Sequence, residues 1–379
     1  MKYSTFVVAA AAGTAAAASA PAYGQCNDWY SQCVPGAGSS APQTTKPTTT
    51  KAATSIKATT TAAASKAPVT TAASRASTTS KAATSSVKYA GVNIAGFDFG
   101  IDTNGGSGTY QDPGTTGQSQ MNHFVKDDKL NAFRLPVGWQ YLVGNTLGGN
   151  LDSSFFSKYD AQVTYCLNSG AELCIIDLHN YARWNGAIVG SSGGPTNAQF
   201  ASVWSQLATK YASKPKVAFG IMNEPHDLQD INTWATTVQA AVTAIRKAGA
   251  TQNLILLPGN DWTHAAQFVD NGSAAALNKI TNLDGSKTNL VFDVHQYSDS
   301  DGSGTNSACT TDNSCLTNVC TMLNYLMTNS DVYLGWTGWS AGMFASNYVL
   351  SEVPTGSAGS YTDQAILTKC IAGVFNSNK

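Results

Sequence analysis

Glutamate is scarce in this chain: it occurs only as Glu172, Glu224 and Glu352. One of the three has a setting that suits acid catalysis. Glu224 stands in Phe219-Gly220-Ile221-Met222-Asn223-Glu224-Pro225-His226-Asp227. The apolar run from Val217 to Met222 reads as a short buried strand. Pro225 ends it, because proline cannot extend a ladder. Glu224 therefore falls at the carboxyl end of a buried strand, with an amide just before it. A carboxyl in such a place can serve as a general acid with its pKa raised by its surroundings. The plainer reading is a carboxylate that caps the next helix.

Other predicted strands end in polar groups too. One ends Phe133-Arg134-Leu135-Pro136-Val137-Gly138-Trp139. The next ends Asp177-Leu178-His179-Asn180-Tyr181-Ala182-Arg183-Trp184. A later one ends Asp293-Val294-His295-Gln296-Tyr297, and the last ends Gly338-Trp339. Singly these residues have bland readings. Arg134 could be a core ion pair, His179 or His295 a satisfied buried histidine, and Trp139 packing. Polar groups at five strand ends, all where the strand stops, point to a site.

The elements that must position them are alternating strands and amphipathic helices. Strands are expected at Lys88–Gly100, Ala132–Val137, Leu173–Leu178, Val217–Met222, Leu254–Pro258, Leu290–His295 and Val332–Trp336. Helices are expected near Ser119–Asp128, Ser153–Asn168 (capped by Asp152), Ala198–Ala212, Ile231–Ala248 (stopped by Gly249), Cys315–Met327 and Asp363–Val374. Repeated β/α units imply an α/β fold with a parallel sheet, most simply a closed barrel. A doubly wound sheet is the alternative, but its phosphate-gripping Gly-rich first turn is missing after the first strand.

Composition narrows the setting. The chain has 379 residues, 12% charged and 42% hydrophobic. Seven of the 22 Lys/Arg but one of the 23 acids precede residue 88, which leaves 15 bases against 22 acids and a net of −7 in 88–379. An acidic globular part argues against nucleic acid and anionic membrane as partners. Residues 1–20 combine Lys2, an Ala/Val-rich run and Ala18-Ser19-Ala20, as a secretory signal does. No later apolar run is long enough to span a bilayer. A secreted, extracellular monomer is expected. Residues 37–87 are Ser, Thr, Ala, Lys and Pro without aromatics, which reads as a disordered, O-glycosylated linker. Eight cysteines fit an oxidising compartment. Cys166–Cys174 is expected as a staple across a helix-to-strand turn. No zinc spacing appears, and neither metal nor cofactor is expected. Asn271-Gly272-Ser273 is a sequon for N-glycosylation.

The motifs together carry a resemblance. Asn-Glu-Pro after a strand, Phe-Arg-Leu-Pro, Asp-Leu-His-Asn-Tyr-Ala-Arg-Trp and Asp-Val-His-Gln-Tyr resemble glycoside hydrolase family 5, in its fungal endo-β-1,4-glucanase branch. The resemblance covers roughly 88–379. It implies a (β/α)8 barrel and retaining hydrolysis of internal β-1,4 bonds in cellulose-type glucans. Glu224 would be the acid/base and Asn223 would bond the sugar 2-hydroxyl. Arg134, His179, His295 and Tyr297 would shape the site. Trp339, and less directly Trp184, would stack on sugar faces. Cys309–Cys315 and Cys320–Cys370 would match the family's late disulfides. Residues 21–36, with Cys26, Trp29, Tyr30 and Cys33, resemble the two ends of a fungal family 1 carbohydrate-binding module whose middle is absent. Without its staples that segment reads as a vestige.

The chemistry supports the resemblance independently. Retaining hydrolysis needs two carboxyl groups about 5–5.5 Å apart, one to protonate the leaving oxygen and one to attack the anomeric carbon. Neutral sugars need aromatic platforms and hydrogen bonds, and Trp and Tyr number 8 and 15. The second carboxylate is missing, however. The family places its nucleophilic glutamate at the end of strand seven, and the only later glutamate here is Glu352, where the family has a surface loop. The stretch from His295 to Trp339 is too short for two helices and two strands. One β/α unit is absent between Asn313 and Ser314, so the barrel is incomplete, with two unpaired edges or a strained closure. Asp299, Asp301 and Asp312 are poor substitutes, since Gly- and Ser-flanked aspartates usually belong to solvated turns. Two missing pieces suggest exons missed when the sequence was read from a gene. The competing reading is a truly shortened chain that binds carbohydrate without turnover. A β-mannanase of the same fold is the other alternative.

Overall fold

The computed structural model describes residues 6–11, 86–298, 313–346 and 351–379. Seven of its strands run parallel and alternate with helices. In chain order they are β2 (Tyr89–Ala95), β3 (Ala132–Val137), β4 (Leu173–Leu178), β5 (Val217–Gly220), β6 (Ile255–Pro258), β7 (Leu290–Gln296) and β8 (Tyr333–Gly342). The helices are α1 (Gly114–Lys126), α2 (Ser153–Asn168), α3 (Asn197–Tyr211), α4 (Ile231–Lys247) and α5 (Asn313–Thr328). A last helical stretch, α6, has a π turn at Leu367–Ile371 and continues as Ala372–Ser377. An eighth strand, β1 (Phe6–Ala11), lies between β7 and β8, antiparallel to both, and the ring order is β1-β8-β2-β3-β4-β5-β6-β7.

Local chemistry accounts for the helix starts. Asp152 caps α2 by accepting from the Phe155 N–H at 2.7 Å. Thr196 and Gln199 form a capping box at the start of α3. Gly249, at φ 93°, stops the chain beyond α4. Cys166–Cys174 ties α2 to β4, and Cys320–Cys370 ties α5 to α6. Cys315 lies in the first turn of α5, but its side chain and Cys309 lie outside the described residues, as do 21–36 and the linker up to residue 85.

The barrel is layered because strand side chains alternate between its two faces. Ala132, Leu173, Ile175, Ala218, Leu256 and Val291 pack as one apolar cluster inside the ring. Their strand neighbours Phe133, Cys174, Ile176, Val217, Phe219, Ile255 and Leu257 pack outward with the helices. One step further along, the inward positions become Arg134, Asp177 and Asp293. The polar layer therefore sits on the apolar one, toward the carboxyl ends of the strands.

Three expectations need correction. The edges of β7 and β8 are paired rather than open: Val7 lies opposite both His295 and Thr337. The physical reason is that two strand edges with free N–H and C=O groups accept any extended segment, here the apolar run read as a signal. The last strand runs to Gly342 rather than Trp336, because a register shift after Gly338 lets Ala341 and Gly342 pair with Ile94 and Ala95. Gly338 and Trp339 are thus inside the strand. Finally, Asp363 precedes the last helix instead of opening it.

Glu352 is also misplaced by the sequence reading. It is fully buried, not on a surface loop. Its N–H donates to the Ser340 carbonyl at 2.9 Å, which draws the segment against β8. The carboxyl occupies space left by Gly338, where an added Cβ would lie 2.0 Å from Oε1. Neither oxygen has a hydrogen-bond partner among the described residues. Burial pushes this carboxyl well above its ordinary value of 4.5. Below about pH 4.5 the group is protonated in folded and unfolded chains alike. Above that pH the unfolded chain ionises and the folded one does not, so stability falls as pH rises. Glu352→Gln is expected to flatten that fall. Urea midpoints measured at about pH 4 and pH 8 check it, and equal slopes for the two proteins would refute it.

Candidate active site

Arg134 is the hub of the polar layer. It is fully buried on β3. Its Nη1 donates to Asn93 Oδ1 at 3.1 Å, its Nη2 donates to Asn223 Oδ1 at 2.7 Å, and Nη2 lies 2.8 Å from Asp177 Oδ1. Asp177 also meets His179 Nδ1 at 2.7 Å through Oδ2. Burial alone would raise Asp177, but the Arg134 charge and the His179 bond outweigh it and hold its carboxyl below the usual range. Asp98, buried nearby, is pushed up by burial, with the His179 charge opposing.

Glu224 sits just past β5. The Asn223 N–H donates to the Leu178 carbonyl at 2.8 Å, and Glu224 itself has φ 41°, a left-handed turn for a non-glycine residue. That turn ends the strand where Pro225 follows. Glu224 Oε1 is 2.8 Å from His295 Nδ1 and accepts from the Tyr297 hydroxyl. Trp339 is buried and lies parallel to the His179 ring, 13° off, with centroids 5.3 Å apart.

Six of the expected residues therefore join Glu224 in two linked groups. Arg134, Asn223 and His179 meet around Asp177, with Trp339 on His179. His295 and Tyr297 hold Glu224, which adjoins Asn223 in the chain. Trp184 stands apart: it lies in a two-strand hairpin, edge-on to buried Trp139 at 5.1 Å. Asp299, Asp301 and Asp312 lie outside the described residues.

Several residues were not expected. Asn93 Nδ2 donates to the Gly338 carbonyl at 2.6 Å and so ties β2 and β8 to Arg134. Asp177 and Asp293 are inward positions that the period-2 pattern could have revealed. Trp262 follows β6 and stacks on His226 at 3.9 Å and 6°, with Tyr181 edge-on. Its N–H donates to the Pro225 carbonyl at 2.9 Å. Asn271 of the sequon donates to Asp261 Oδ2 at 2.9 Å in the same loop. The polar groups of this loop directly after a strand were the available signal.

One cluster among the described residues has metal-ligating types: His123, Asp128 and Asp363. It joins α1 to the C-terminal segment instead of lying at the strand ends. His123 bonds Asp363 at 2.9 Å and Asp127 at 2.6 Å. Burial and the Asp363 charge push Asp128 up to about 6.

The comparisons with known proteins follow this geometry. The cellulase family, glycosyl hydrolase family 5, matches residues 92–342. The endoglucanase EG-II of Hypocrea jecorina is 55% identical over 333 residues, covering 76% of this chain and 78% of that one. The crystal structure of Cel5A (EG2) from Hypocrea jecorina superposes with TM-score 0.70 at 54% identity, covering 76% of this chain and 98% of that one. XacCel5A, solved in complex with cellopentaose, superposes with TM-score 0.64 at 31% identity, covering 75% and 99%. A site at the carboxyl rim of a β/α barrel, matched across most of the chain, leads to one conclusion: the protein belongs to glycosyl hydrolase family 5, the cellulase family.

Proposed function

We propose that this endo-β-1,4-glucanase uses Glu224 as its proton donor and that the nucleophilic partner is absent together with one β/α unit. Arg134, His179, Asn223, His295 and Tyr297 frame the sugar at the cleavage point. Trp339 supplies an aromatic face. The observation that carries this reading is the convergence of a carboxyl, an imidazole, a phenol and an Arg–Asp pair at the carboxyl ends of the strands. Neutral polysaccharide suits such a rim, where hydrogen bonds and ring faces matter more than net charge.

Two observations support the missing unit. Among the described residues one helix, α5, separates β7 from β8, and the gap between those strands is the width of a single strand. The match to EG-II also extends over 333 residues while using 76% of this 379-residue chain, as an alignment with a gap on this side does. Residues 1–20 act as a secretory leader and 37–87 as a tether for a monomeric, extracellular enzyme. Secretion is consistent with the absence, among the described residues, of any helix able to cross a membrane.

Calorimetric titration with cellopentaose tests the substrate class. The chain is expected to bind it in preference to mannopentaose. Trp339→Ala is expected to weaken binding roughly tenfold, about 1.4 kcal/mol. Equal affinity for both sugars would favour the mannanase reading. No binding of either would remove the substrate assignment.

A further inference from the structure

Asp293 lies on β7 two residues before His295, and both residues are fully buried. Asp293 Oδ1 is 3.7 Å from His295 Nε2. Neither atom has a hydrogen-bond partner among the described residues, and the second oxygen of Asp293 has none either. The other ring nitrogen of His295, Nδ1, is 2.8 Å from Glu224 Oε1. A buried acceptor without a donor costs about 1–3 kcal/mol, and a buried charge more. The two orphans face each other, and a proton between them relieves both.

We propose that Asp293 is a positioning residue that keeps Nε2 of His295 protonated, so that the only proton the Glu224–His295 pair exchanges is the one between Oε1 and Nδ1. The inference rests on the reading of Glu224 as proton donor. Charge balance around Arg134 favours it. Asp177 and Asp293 are two fully buried acids that both feel the Arg134 charge, and the direct ion pair of the guanidinium is with Asp177. A proton fixed on Nε2 lets Asp293 stay in the barrel beside a hydrogen-bond donor. It also fixes the ring so that Nδ1 points at Glu224. When Glu224 gives its proton to a leaving group, Nδ1 stays an unprotonated acceptor facing Oε1, and the water that completes hydrolysis returns the proton to Glu224. Burial raises Asp293 relative to an ordinary aspartate, with the His295 and Arg134 charges opposing.

Nitrogen-15 NMR of the histidine rings in the full chain tests this, with His295 assigned by the loss of its signals in His295→Gln. From about pH 5 to 8, Nε2 is expected to give the resonance of a protonated nitrogen. A bare Nε2 in the unaltered chain overturns the proposal, with no variant needed. Asp293→Leu removes the acceptor with little change of volume, and in it the proton is expected to leave Nε2 and appear on Nδ1. An unchanged Nε2–H in that variant also overturns the proposal. In Glu224→Gln the Nε2–H signal is expected to persist, since Asp293 and not Glu224 fixes it; its loss there would count against Asp293. None of these readouts requires turnover. A chain with the missing β/α unit restored that shows the Nε2–H signature and keeps its full glucanase activity in Glu224→Gln would sink the proton-donor reading alone.

Discussion

Expressed as it stands, the chain releases reducing sugar from carboxymethyl cellulose at a rate roughly a millionfold below that of the same chain with one β/α unit, ending in a strand-end glutamate, inserted after Asn313. The size of the effect follows from the chemistry. Retention requires a carboxylate about 5–5.5 Å from the acid to form the glycosyl intermediate. Glu224 has a phenol and an imidazole on its Oε1, and the sequence holds no glutamate between it and Glu352. Glu352 cannot take the part, because it is fully buried with its carboxyl packed against Gly338, and burial pushes that carboxyl up, away from the ionised form a nucleophile needs. Asp293 faces His295 from within the polar layer. Removing a nucleophile that works as one unit with its acid abolishes nearly all of the rate. Glu224→Gln in the restored chain is expected to return activity to the background. Turnover by the unrestored chain, abolished by Glu224→Gln, would show that a carboxylate outside the described residues performs the attack. Tryptic mass spectrometry of the secreted protein addresses the origin of the gap. A peptide running unbroken through Thr311-Asp312-Asn313-Ser314-Cys315, with no longer form, would mean that the shortened chain is the real one.

Much of this architecture was legible in residue order. The bounds of β3, β4 and α2 match their expected ranges because each has a sharp local signal: a continuous apolar run for the strands, and Asp152 at the helix start. Arg134, His179, Glu224 and His295 were legible because polar residues break apolar runs where strands stop. Asp177 and Asp293 were hidden by adjacency. Each stands two positions before a histidine that drew attention first, although the inward alternation through Ile175 and Val291 leads directly to them. Trp262 was hidden for another reason. Asp261, Trp262 and Thr263 all have φ between 52° and 62°, a backbone path with no glycine to announce it. Glu352 was misread because its burial depends on a missing side chain, that of Gly338, far away in the chain. Strand β1 could not be read as part of the barrel at all: its apolar run has the composition of a leader, and only the vacant slot gives it a sheet to join.

That slot makes the second large prediction. A chain beginning at Pro21, as cleavage after Ala20 would leave it, is expected to melt well below the full chain and to self-associate. In the full chain β1 is paired along both sides, from Phe6 opposite Gln296 to Ala11 opposite Val291, and from Val7 opposite Thr337 to Ala10 opposite Tyr333. Removing it leaves the edges of β7 and β8 without ladder partners. A net 0.5–1.5 kcal/mol per lost bond adds up to a penalty on the order of 5 kcal/mol, a large part of the 5–15 kcal/mol that holds a typical domain together. Two open edges a strand apart also invite a strand from another copy. Light scattering is expected to show dimers or larger species for the shortened chain and monomers for the full one. Val8→Pro in the full chain, which removes one donor and stiffens the strand, should move it toward the same behaviour. A synthetic peptide covering Phe6–Ala11, added to the shortened chain, should raise its melting temperature. The restored chain supplies its own strand for the slot, so losing residues 1–20 should leave its melting temperature unchanged. If the unrestored chain is equally indifferent to that loss, β1 contributes nothing to the barrel, and β7 and β8 are stable as free edges.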